Sequence, residues 1–82
     1  MLALLALALA APQAHLDAGM AAMKAKKPAE AVTAYQACIA DDPTFVPCHW
    51  ELGWAYWVQN DWEKVVATWT KVKELDPAHP EV

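Results

Sequence analysis

Arginine and serine are absent from this chain, and glycine occurs only twice in 82 residues. With six lysines against ten acidic residues, for a net charge of -4, the basic footprint that a phosphate backbone requires is missing, and nucleic acid is not an expected partner. The lack of serine removes one class of nucleophile, and two glycines cannot build a phosphate-cradling loop. Cysteine is almost as scarce. Cys38 and Cys48 lack zinc-ligand spacing, and no metal or cofactor is expected. The adjacent Cys48 and His49 are no catalytic pair either, because neighbours on a helix point about 100° apart. No other constellation resembles an active site, and an enzyme is not expected.

What is abundant is apolar mass: 57% of the residues are hydrophobic and five are tryptophan. Alanine, leucine and tryptophan favour packed helices over sheet or disorder, so the expected fold class is all-α. A chain this short buries only about 60% of the surface it exposes when unfolded, which leaves a thin stability margin.

The first eleven residues, MLALLALALAA, form an uncharged Leu/Ala run ahead of Pro12. This is the grammar of a secretory signal, with Ala8-Leu9-Ala10 as the small-x-small cleavage pattern. The run falls short of the roughly 20 apolar residues that a bilayer span needs, so no stable membrane span is expected. It also lacks a basic residue before Leu2, and the true start is expected upstream of Met1. The alternative is a retained Ala/Leu helix that packs as an N-terminal cap on the first repeat unit, as its high helix propensity allows. An exported, periplasmic protein and a cytoplasmic one therefore both stay open.

Shifting the chain by 34 residues superposes it on itself. Gly19 falls on Gly53, Ala22 on Tyr56, Ala31 on Val65, Tyr35 on Trp69, Cys38 on Val72 and Pro43 on Pro77. In this register each unit resembles the tetratricopeptide repeat, a 34-residue helix-turn-helix with small residues at the helix crossing and a proline closing the second helix. The second unit is a close match. The chain then divides into a signal-like segment 1–11, units 12–45 and 46–79, and a tail 80–82, where His79-Pro80-Glu81-Val82 is expected to open a further repeat. Helices are expected near 13–25, 29–41, 47–59 and 62–75, stacked as two hairpins of a short right-handed solenoid.

Packing reasons accompany these residues. Gly19 and Gly53 sit mid-helix, where glycine costs about 1 kcal/mol against alanine, so another helix must need that space. Tyr35 and Trp69 are expected to fill the gap to the next unit. Asn60-Asp61 supplies a left-handed residue and then a capping carboxylate; Lys26-Lys27-Pro28 does this less well. His15 and His49 occupy equivalent positions, and an ordinary hydrogen bond is expected to hold each.

Trp50, Trp54 and Trp57 recur at i, i+4 and i+7, which puts three indoles on one helix face. Leu52, Gly53 and Tyr56 already occupy the positions that resemble the family's packing face, so the stripe is expected to point outward. The resemblance implies a concave groove lined by Trp50, Trp54 and Trp57 and, in the first unit, by Leu16, Met20 and Met23. Exposed apolar patches of this kind mark interaction sites. The expected function is a protein-binding module or scaffold that takes a peptide or partner protein by apolar burial. The alternative is a structural fragment of a longer solenoid or homo-oligomer that covers the stripe itself. Leu16 and Met20 stand where the family's carboxylate clamp has Lys and Asn, so no such clamp is expected. Trp62 and Trp69 are expected to pack between units. Cys38 and Cys48 lie at adjacent helix ends, where a disulfide and two buried thiols both remain open and metal ligation is not expected.

Overall fold

The computed structural model describes residues 2–78, with side chains from residue 11 onward. Its elements are four helices: α1 (Leu2–Lys24), α2 (Pro28–Asp41), α3 (Val46–Val58) and α4 (Trp62–Leu75). Three of the four expected helices agree within two residues. The first does not: α1 begins at Leu2 and runs through Pro12, whereas the reading from sequence started it after that proline. Pro12 removes one helical hydrogen bond, but a Leu/Ala run of high helix propensity precedes it, and the helix continues across the gap. The side chains of the Leu/Ala run, and His79 to Val82, lie outside the described residues. Among the described residues, no helix is long and apolar enough to cross a membrane.

Each hairpin closes in the same way. Lys26 and Asn60, 34 residues apart, adopt left-handed backbone with φ of 62° and 61°. Behind each, two amide hydrogens turn back onto the helix end. Lys26 N–H reaches the Met23 carbonyl and Lys27 N–H the Ala22 carbonyl; Asn60 N–H reaches Trp57 and Asp61 N–H reaches Tyr56. This is the Schellman closure, which satisfies carbonyls the helix leaves open. The starts of the second helices differ. The Asp61 carboxylate accepts the Lys64 backbone N–H at 3.4 Å, while Lys27 gives no side-chain cap and α2 relies on Pro28 in its first turn.

Helix α2 packs against both α1 and α3, and α4 packs against α3. The core lies between them, built from Leu16, Ala31, Tyr35, Leu52, Tyr56 and Val65 among others. Side chains at Gly19 and Gly53 have no room: a Cβ on Gly19 would meet the Tyr35 ring, and one on Gly53 the Trp69 indole. Both aromatic rings therefore roof the glycine of their own hairpin, and Tyr35 also lies beside Glu51 of α3 in the next unit. The ring sits where the small residue lets the two helices of one unit touch.

The α2–α3 connection is held by polar bonds. Asp42 Oδ1 accepts from the Thr44 backbone N–H at 3.1 Å and from its hydroxyl at 2.9 Å. His49 donates from Nε2 to the Pro43 carbonyl at 2.8 Å. His15 reaches Asp41 at 3.2 Å. Both histidines thus serve the structure, one within the turn and one between α1 and the end of α2.

Candidate functional site

Helix α3 has two faces. Cys48, Leu52, Ala55 and Tyr56 point into the core, and at 100° per residue Trp50, Trp54 and Trp57 fall on the opposite side. Trp54 and Trp57 are 38% and 45% exposed; Trp50 is half-buried. Their rings form a ladder, with Trp50 and Trp54 edge to face at 5.8 Å and Trp54 and Trp57 tilted at 5.7 Å.

Helix α4 completes the cluster. Trp69 stacks on Trp50 at 5.0 Å, meets Trp54 edge-on at 5.0 Å and lies nearly parallel to Trp57 at 6.0 Å. Its indole N–H donates to the Trp50 carbonyl oxygen at 3.2 Å, which locks the ring that roofs Gly53. Trp62, 50% exposed, stands edge-on to Trp57 at 4.8 Å. All five tryptophans thus join in one aromatic sheet across the second hairpin. Offset and edge-on aromatic pairs contribute roughly 0.5–1.5 kcal/mol each beyond the area they bury.

Trp62 and Trp69 were expected between the units; the structure puts both in the aromatic sheet of unit two. The signal was present, since Trp62, Val66 and Trp69 repeat the i, i+4, i+7 spacing of the α3 stripe. Val58 and Val66 are further exposed apolar residues of this hairpin.

The first-unit half of the groove is less complete. Leu16 is 8% exposed and belongs to the core, which corrects its placement in the groove. The repeat position that holds the half-buried Trp50 in unit two holds a core leucine here. Met23 is half-buried against the core. Met20 alone of the three stands out at 48%.

The polar groups near the α2–α3 junction have structural partners. Gln36 Nε2 donates to the Tyr56 hydroxyl at 3.2 Å, and the Lys64 ammonium lies 5.5 Å over the Tyr56 ring. Tyr35 is fully buried, and its hydroxyl finds no hydrogen-bond partner. Burial, and then the neighbouring Glu51 charge, push its pKa up to about 12. Burial likewise raises the Glu51 carboxyl. Among the described residues no group of three metal-ligating side chains converges. Cys38 and Cys48 bring their sulfur atoms into contact, with Cα atoms 6.3 Å apart, a separation that a disulfide spans. Both are fully buried.

The family model for the tetratricopeptide repeat matches residues 13–44, from the middle of α1 through α2. The match falls on unit one. No curated protein matches the chain.

Proposed function

Because this chain belongs to the tetratricopeptide repeat family, we propose that it is an interaction module whose second hairpin holds an apolar segment of a partner protein. The contact surface is Trp54, Trp57 and Trp62. The observation that carries this reading is the exposure of three large rings, of which Trp54 and Trp57 pack on Trp69 and Trp62 packs edge-on against Trp57. Indoles held in place present wide contact area at little entropic cost, and such residues dominate binding energy at interfaces. Recognition is by burial of an apolar segment, with no lysine clamp for a terminal carboxylate.

The proposal extends to where the protein works. The Leu/Ala run has the composition of an export signal, and two buried cysteines in sulfur contact suit an oxidising compartment. We place the mature protein in such a compartment, cleaved after Ala10, with Cys38 and Cys48 disulfide-bonded. Mass spectrometry of the exported protein would give the new N-terminus and the absence of free thiols together.

The groove is tested with peptides selected from a displayed library against the native chain. Apolar sequences should emerge and quench or shift the tryptophan emission on binding. Trp54→Ala or Trp57→Ala should weaken them at least about tenfold, the loss of one buried aromatic anchor. Tryptophan emission that acrylamide cannot quench in the isolated monomer would refute an open groove.

A further inference from the structure

Among the described residues the two hairpins meet mainly through α2 against α3, and the 34-residue repeat carries both halves of that contact a second time. On α2 the half is the stripe Val32, Tyr35, Gln36 and Ile39. Val32 and Ile39 pack against the core, Tyr35 is fully buried beside Glu51, and Gln36 bonds Tyr56 of α3. Shifted by 34, this stripe becomes Val66, Trp69, Thr70 and Lys73 on α4. There Val66 is 67% exposed, Thr70 and Lys73 are exposed, and Trp69 is half-exposed.

The α3 half shows the same contrast. Cys48, Leu52 and Ala55 are buried along one side of α3, where Cys48 meets Cys38 of α2. Their equivalents on α1 are Ala14, Ala18 and Ala21, spaced i, i+4, i+7, and all three are exposed. One molecule therefore presents a tail on α4 and a head on α1 that are built to the pattern of its own internal contact.

We propose that a second copy of this chain docks head to tail, its α1 seated on α4 of the first. Continuity with the α2–α3 interface sets the geometry, and the small alanine row leaves room for Val66 and Thr70 between the helices. Charge obeys the same register. Glu51 faces Tyr35 inside the chain, so Asp17 of the incoming copy arrives over Trp69 and Lys73, a cation with no ion pair among the described residues. Head and tail differ, so the contact does not close on itself and propagates into open chains. Trp54 and Trp57 take no part in it.

Sedimentation velocity over a wide concentration range tests this. The native chain should grow beyond a dimer as concentration rises. Val66→Glu, which blocks the tail, and Ala18→Glu, which blocks the head, should each be monomeric, since burying an unpaired carboxylate weakens association by at least about tenfold. An equimolar mixture of the two variants retains one free head and one free tail, and should form a one-to-one complex that stops at two copies. Circular dichroism of each variant checks that its helices are intact, as expected for exposed positions. A native chain that stays monomeric, association that survives both substitutions, or folded variants that fail to pair would each overturn the proposal.

Discussion

Lys26 is the residue where local chemistry and backbone disagree most. A left-handed φ of 62° is costly for a side chain with a Cβ, and glycine or asparagine fits it better. Lys26→Gly should therefore stabilise the protein by roughly 0.5–1 kcal/mol, read as a higher midpoint in urea. Tyr35 poses a different conflict, a hydroxyl without a partner inside the core. Tyr35→Phe should raise stability by roughly 1 kcal/mol, because it removes a buried polar group that has nothing to bond. It should also flatten the alkaline limb. Folded Tyr35 holds its proton up to about 12, whereas the unfolded phenol ionises near its ordinary value of about 10. The unfolded state thus loses its proton first, and the stability that the neutral phenol contributes is lost as pH rises from the lower value through the higher. Thermal melts of both proteins across that window would show the difference.

Helix starts and stops carry the next level of organisation. Asn60 and Asp61 close α3 and open α4 with residues suited to both tasks, and the sequence shows it. Lys26 and Lys27 perform the same turn without suitable side chains, because the Schellman bonds depend on backbone alone. Glu30 stands three residues after Lys27, so Lys27→Ser would create a capping box. The expected gain is about 0.5–1 kcal/mol, measurable by chemical denaturation, with little change from the lost exposed Lys27–Glu30 pair at 3.7 Å. Helix α1 shows where local rules fail. A proline reads as a boundary, yet the helix runs through Pro12, since one missing hydrogen bond weighs little against a long run of strong helix formers.

For the whole molecule, the contact between the hairpins decides whether two units stand as one body. Cys38 at the end of α2 and Cys48 at the start of α3 join the units at that point. A bond closing so short a loop contributes roughly 2–3 kcal/mol, a large fraction of what an 82-residue chain has. Adding reductant should lower the urea midpoint by that amount, and Cys38→Ala with Cys48→Ala should match the reduced protein rather than the oxidised one. If reductant leaves the midpoint unchanged, the sulfurs are two packed thiols.

Helix number, hairpin pairing and the 34-residue register were all legible in the sequence, because each depends on residues whose constraint is local or periodic: glycine at a crossing, proline past a helix end, aromatic residues at fixed spacing. The outward direction of Trp50, Trp54 and Trp57 comes from the same periodicity. Tertiary structure alone decided the rest. It turned Leu16 into the core while its repeat equivalent Trp50 is only half-buried, gathered Trp62 and Trp69 into the sheet of rings, and set the two cysteine sulfurs together. Periodicity assigns a residue to a face of its own helix, whereas which neighbouring helix covers that face depends on the packing of the whole chain.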